Sequence, residues 1–423
     1  MREMKDSGFE WIGKIPLNWE VDKLKFHLKR NEPRNPGDTV VLSLYRELGV
    51  IPKDSRDDNH NVTSEDTSKY KYVQPGDFVI NKMKAWQGSV AVSEYEGIVS
   101  PAYFIYKFTD DAFYRRYFHY LLRSCYKDEF MRLSGGIRVG QWDLPSVALD
   151  NTAVIIPPMK EQKSIAAFLD AKCSEIDAFT VDIQTQIDTL EQYKRSIITE
   201  AVTKGMNPDV EMKDSGNQYW GRIPTNWHLS DIKYLFEIVK RIAGKEGYDI
   251  LSVTQKGIKI KDISNNEGQV AESYANYQFV YPGDFVMNHM DLLTGWVDCS
   301  KLFGVTSPDY RVFRLRDKNN SLNYYKYIMQ TCYMNRIFYS LGQGVSNLGR
   351  WRLQTSSFNN FMVPVPPVEV QESIANYLDK KCTEINACID DKQRQLEVLE
   401  EYKSPNLRIR HRKEGGAREC LEW

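Results

Sequence analysis

The nonamer PGDFVINKM at residues 75–83 returns as PGDFVMNHM at 282–290, and the echo runs along almost all of the 423 residues. EMKDSGFEWIGKIPLNW (3–19) recurs as EMKDSGNQYWGRIPTNW (211–227) with 11 of 17 positions identical. GIVSPAY (97–103) recurs as GVTSPDY (304–310), and IPPMKEQKSIAAFLDAKCSEID (156–177) as VPPVEVQESIANYLDKKCTEIN (365–386). The offset drifts only from 207 to 209 residues, which means a tandem duplication with small loop insertions. A period this long exceeds that of solenoid and propeller repeats, so each copy is a domain with an appendage. Whatever one half folds into, the other must fold into as well.

The appendage is legible as a helix. Leu169, Ile176, Ile183, Leu190 and Ile197 fall every seven residues, and Cys173, Thr180, Ile187, Lys194 and Ala201 complete a seam that is polar in two places. The second copy repeats it with Leu378, Ile385 and Leu399 beside Cys382, Ile389 and Leu396, broken by Lys392. Prolines precede both helices (IIPP, VPVPP), which suits an extended approach and a nearby helix start. The chain order is domain, helix, domain, helix. A parallel pair would force the second domain's connection back along a rod of about 60 Å at 1.5 Å per residue, whereas an antiparallel pair needs no such crossing. The expected fold class is therefore α+β, with two globular domains related by a pseudo-twofold axis and separated by an antiparallel two-helix coiled coil. The expected bounds are 1–157 and 205–366 for the domains, 158–204 and 367–404 for the helices, and 405–423 for an atypical tail.

Composition narrows the function classes. At 42% hydrophobic and 12% aromatic the chain is globular. No apolar run approaches the 18 or so residues that cross a bilayer, and MREMKDSGFEW has no signal-peptide core, so a cytoplasmic protein with no membrane partner is expected. Seven cysteines without a C-x-x-C pair and six scattered histidines point away from disulfides and metal ions, and no cofactor is expected.

The net charge of −1 hides an uneven distribution. Residues 311–352 hold eight Lys/Arg against one acid, interleaved with eight aromatics, whereas 159–192 hold three basic and seven acidic residues. A basic, aromatic-rich surface beside an acidic rod is what phosphate-backbone binding needs. A solvated face over an aromatic core would read the same way. Two glycine-rich stretches, SGGIRVGQW and LGQGVSNLGRW, carry Arg138, Gln141, Arg350 and Arg352, but neither follows the strand–GxGxxG–helix pattern of a dinucleotide site. Catalytic signatures are missing: there is no NPPY or DPPY tetrad and no G-x-x-x-x-G-K-[ST] loop.

The motifs WIGKIPLNW, PGDFVINKMKAWQGS, GIVSPAY and PPMKEQKSIAAFLDAKCSEID, with the helix ending LEQYKRSIITEAVTKG, resemble the specificity subunits of type I restriction–modification enzymes over residues 1 to about 403. The resemblance implies two target recognition domains, each reading half of a bipartite double-stranded DNA sequence. It implies helices that dock two modification (methyltransferase) subunits, with restriction subunits joining the full complex, and no catalysis by this chain itself. The alternatives from other classes are a restriction–methylation fusion enzyme, opposed by the missing motifs, and a coiled-coil scaffold, opposed by the basic aromatic stretches.

Residues alike in both copies cannot explain two different readings, so Pro75, Gly76, Asp77 and Phe78 are expected to build a turn and a buried strand. Divergent residues beside that turn are the expected readers: Lys82, Lys84 and Gln87 in the first domain, and Asn288, His289 and Thr294 in the second. Arg138, Gln141, Arg350 and Arg352 come next.

One region departs from the pattern. After LEEYK (399–403) the first copy's RSIITEAVTKG is not repeated, and the chain reads SPNLRIRHRKEGGARECLEW. Back-translated with permitted codons and read one nucleotide along, residues 404–417 give VLIYEYVTGKKEV, close to IITEAVT (197–203). A frameshift is expected, with Pro405 ending the second helix early. Losing about two turns of apolar seam costs on the order of 2–4 kcal/mol. Restoring the shifted-frame residues should raise the melting temperature, and an unchanged melting temperature would argue for an undamaged helix.

Overall fold

In a computed structural model, the residues described are 2–37, 39–46, 48–55, 63, 66–136, 142–262, 273–344 and 351–403. The chain divides into two units, one of residues 1–183 with the stretch from Arg394 onward, the other of residues 184–393. The tail 404–423 lies outside the described residues.

Each unit is built around the same four-stranded antiparallel sheet. In the first, the order is Leu28–Arg30, Tyr103–Phe108, Phe78–Asn81, Val90–Val92, with Phe78 opposite both Tyr106 and Val92. In the second it is Phe236–Val239, Arg311–Leu315, Phe285–Met287, Val297–Cys299, with Phe285 opposite Phe313 and Cys299. PGDF is the turn that starts the central strand. Gly76 and Gly283 both sit at φ 90°, a left-handed conformation that favours glycine. The next carboxylate folds back on the turn: Gln74 N–H donates to Asp77 at 2.9 Å, and Tyr281 N–H to Asp284 at 2.8 Å. Phe78 and Phe285 are then fully buried.

The helical spacing in 113–133 yields two helices, Arg115–Ser124 and Lys127–Leu133. The break at Cys125 and Tyr126 lets Leu121, Leu122 and Phe130 all enter one core. The second copy breaks as well, three residues further along, between Leu322–Met334 and Ile337–Ser340, where Arg336 is at φ 55°.

The long helices run Met159–Lys204 and Val368–Lys403. Every seam position from Leu169 to Ala201 is buried or half-buried, and most positions between them are exposed. Leu378, Cys382, Ile385 and Ile389 are buried in the second helix, with Lys392, Leu396 and Leu399 half-buried. Within the second unit, Gln186 takes a hydrogen bond from Lys392, and Lys194 donates to Asn386 at 2.7 Å. Numbers rise along one helix as they fall along the other, so the two segments are antiparallel. Within the first unit, Asp177 pairs with Lys403, and Phe179 and Ile183 line a shallow apolar groove with Val398 and Leu399.

A buried glutamine fixes each helix to its sheet domain. Gln162 donates to the Ala112 and Pro157 carbonyls, both at 2.8 Å, and accepts from Tyr114 N–H at 2.8 Å. Gln371 donates to the Pro366 carbonyl (3.0 Å) and Asn320 Oδ1 (2.9 Å), and accepts from Ser321 N–H at 3.0 Å. Two turns on, Tyr120 donates to Asp170 and Tyr327 to Asp379, each at 2.6 Å. Removing the amide strands buried partners, at about 1–3 kcal/mol for each group left unpaired. Gln371→Ala should lower the unfolding free energy by at least that amount, seen as a lower urea midpoint at an unchanged m-value. A shift below about 0.5 kcal/mol, the size usual for surface substitutions, would show that the amide is not the pin.

Candidate nucleic-acid interface

In each unit the segment following the PGDF strand meets the glycine-rich stretch. In the first, Leu144 N–H donates to the Lys82 carbonyl at 3.0 Å, Lys82 Nζ pairs with Asp143 at 2.7 Å, and Trp86 packs edge-on to Trp142 at 5.5 Å. In the second, Leu353 N–H donates to the His289 carbonyl at 3.0 Å, Gln343 pairs with Arg352 through the backbone, and Trp351 Nε1 donates to the Tyr339 carbonyl at 2.6 Å. Among the described candidates, Arg352 thus lies beside His289 in the second half.

The roles of the candidates differ. Lys82 is half-buried and committed to Asp143. Asn288 shapes the loop: its side chain accepts from Met290 N–H at 3.3 Å and its carbonyl from the Tyr333 hydroxyl at 2.8 Å. Its counterpart Asn81 accepts from Met83 N–H at 3.2 Å. Thr294 donates to Asp291, which also takes the N–H groups of Leu293 and Thr294. That turn demands glycine next, because a Cβ on Gly295 would lie 2.0 Å from the Asp291 carbonyl. Lys84 and Arg352 are exposed and Gln87 is half-buried, so their side chains reach solvent. Arg138, Gln141 and Arg350 lie outside the described residues.

Trp142 and Asp143 are parts of this surface that were not among the expected readers, and Trp351 is one of the aromatics of the basic 311–352 stretch. The signal was present: QWDLP and RWRLQ put a tryptophan at matching positions of both copies. Trp351 is 37% exposed and lies on glycine backbone, since a Cβ at Gly342 or Gly344 would come within 2.2 or 2.6 Å of its ring.

His289 is held neutral. Burial pushes its pKa down to about 4, and the cationic Arg311 and Arg352 push the same way. In the first unit burial likewise takes His119 to about 3; its ring accepts from Val92 N–H at 3.3 Å and lies 2.8 Å from Arg123.

The chain matches the type I restriction modification DNA specificity domain twice, over residues 20–191 and 224–398. It is similar to two specificity subunits of type I restriction enzymes from Methanocaldococcus jannaschii. With the MjaX subunit it shares 23% identity, covering 94% of both chains. With the MjaVIII subunit it shares 23% identity, covering 97% of this chain and 96% of the relative. Among solved structures, it shares its fold with a chain from a study of complex assembly in a type I R-M system (TM-score 0.65, 14% identity, covering 92% of this chain and 96% of that one). A second is the HsdS subunit of Thermoanaerobacter tengcongensis (TM-score 0.50, 13% identity, 95% and 99% covered). The chain belongs to the type I restriction–modification DNA specificity family. Among the described residues, no helix is long and apolar enough to cross a membrane.

The histidine environments carry a pH consequence. Each folded pKa lies below the ordinary 6.5, so the unfolded chain takes up a proton that the folded chain refuses. The His289 contribution is complete above about pH 6.5 and is lost as pH falls toward 4. NMR titration of the imidazole resonances should find both rings neutral at pH 5, and a midpoint near 6.5 for His289 would contradict the buried setting.

Proposed function

We propose that the chain is the DNA-recognition subunit of a type I restriction–modification complex, each sheet domain reading one half of a bipartite double-stranded target. The observation that carries this reading is the repeated interface. One scaffold occurs twice, PGDF turn, central strand and tryptophan-anchored loop, and the side chains it presents differ between copies. Lys84, Gln87 and Trp86 stand where Asp291, Thr294 and Leu293 stand in the second copy. Similar scaffolds with different presented groups are what two different half-sites require, since base edges are distinguished by donor, acceptor and methyl patterns.

In this reading residues 1–157 and 205–366 are the readers, and 158–204 and 367–404 are helices that dock two modification subunits. Restriction subunits complete the assembly, which works on DNA in the cytoplasm. The chain contributes recognition, and methylation and cleavage are carried out by its partners. Lys84, Gln87 and Arg352 present groups suited to base edges, while Lys82, Asn288 and Thr294 hold the loops that present them. Replacing residues 82–87 with the second copy's equivalents should alter preference at one half-site and leave the other unchanged. Competition binding over all single substitutions of both half-sites tests this; a uniform drop in affinity with every preference intact would assign these residues to phosphate contact or folding.

The helices act as a ruler between the half-sites. Deleting one matched heptad from each shortens the rod by roughly 10 Å, about three base pairs. Methylome mapping of the double deletion should find the same half-sites with a shorter gap. An active variant with an unchanged gap would rule the ruler out.

A further inference from the structure

We propose that the first domain, and not the second, carries a phosphate-binding cradle formed by Arg30, Lys71 and Lys82 around the ring of Phe104. The cradle rests on the DNA-recognition reading for the identity of its ligand, a backbone phosphodiester. The geometry is a convergence of like charge. The Arg30 guanidinium lies 4.2 Å from the Phe104 ring centre, and the Lys71 and Lys82 ammonium groups lie 5.7 and 5.8 Å from it. These three residues come from distant parts of the sequence: the end of the Leu28–Arg30 strand, the Lys71–Val73 strand and the loop after Asn81.

Among the described residues, two carboxylates bond the three cations directly. Glu32 takes Arg30 through a fork of 2.8 and 3.0 Å and Lys71 at 3.0 Å, and Asp143 takes Lys82 at 2.7 Å. Three cations thus crowd a single ring with two carboxylates bonded to them directly, while Asp150 also acts on Arg30 electrostatically. The side chains of Arg30, Lys82 and Lys71 are 42%, 30% and 15% exposed, so an anion can approach from solvent. A phosphate there would relieve the repulsion. Carboxylates already fix the directions of the N–H donors, so the cluster is a centre of charge and a poor reader of base edges.

The duplication supplies an internal control. The register of the sheets places Ile238, Gln278 and Arg311 where Arg30, Lys71 and Phe104 stand, and the sequence repeat puts His289 at the place of Lys82. Gln278 is buried and spends its amide on the Ser307 and Tyr310 carbonyls at 2.9 and 2.7 Å. Arg311 is only 4% exposed, lies 4.6 Å from the Phe358 ring centre, and donates to the Leu353 carbonyl at 3.0 Å. The cation is sealed inside the second domain, whereas the first displays its cations around the ring.

The test is the salt dependence of binding to a random-sequence duplex, followed by fluorescence anisotropy across a range of NaCl concentrations. Each phosphate neutralised contributes roughly 0.9 to the slope of log K against log salt. Arg30→Gln with Lys71→Gln should flatten the slope by about that amount, and an unchanged slope in a variant with the wild-type melting temperature would overturn the cradle. If the variant does not fold, the wild-type chain is titrated with duplexes carrying its methylome-defined target and single methylphosphonates. The slope should flatten for a position beside the first half-site and for none at the equivalent place beside the second; equal effects at both would overturn the asymmetry. Preference among target variants is read separately, and its absence in the wild-type chain would count against the recognition reading and leave the slope test standing.

Discussion

A side-chain amide buried where each long helix begins is the contact on which the rest of the molecule turns. Gln162 and Gln371 satisfy the backbone of the segment entering the sheet-domain helices and of the proline pair leading into the rod. Such a group is costly to bury and is tolerated only when its donors and acceptors find partners. Because both ends of the amide are used, the helix leaves its domain in one direction. The tyrosine–aspartate bonds two turns on, Tyr120 to Asp170 and Tyr327 to Asp379, keep it there. Reader and rod segment therefore behave as one body, which any use of the helix as a spacer requires.

Much of this was legible in the sequence because it was written twice. The seam from Leu169 to Ile197 shows in the heptad alone, since a helix with one apolar edge must bury that edge. The PGDF turn was legible as architecture because it is identical where the two readings must differ. The glutamine pins stood in plain view in MKEQKSI and VEVQESI, yet polar residues at a helix start usually read as solvated caps. Only the fold shows that these amides point inward. The break after Ser124 was hidden for a related reason, because the helical period continues across it while the chain turns.

Site residues were harder to sort, because residue type indicates what a side chain can contact but not whether it is already engaged. Lys82, Asn288 and Thr294 have the chemistry of base readers, and each is held by a neighbour: Asp143, Met290 N–H and Asp291. Lys84 and Arg352 have the same chemistry and stand exposed. Trp351, one of the aromatics of the basic 311–352 stretch, covers glycine backbone at the surface.

Duplication also explains how the halves can diverge without losing the fold. Core residues such as Phe78 and Phe285 keep their size and place, because packing penalises changes in volume. Other positions on the strands face a different constraint: the local polar groups must be satisfied, by whatever means. At the place of Lys71, bonded to Glu32 and to the Tyr103 carbonyl, the second copy has Gln278, bonded to two carbonyls. At the place of Phe104 it has Arg311, which satisfies the Leu353 carbonyl and rests on an aromatic ring from another segment. Each exchange keeps hydrogen bonds made and volume filled while moving charge between surface and interior. A pair of readers descended from one domain can therefore differ in electrostatic character through a few compensated positions, on sheets whose register remains the same.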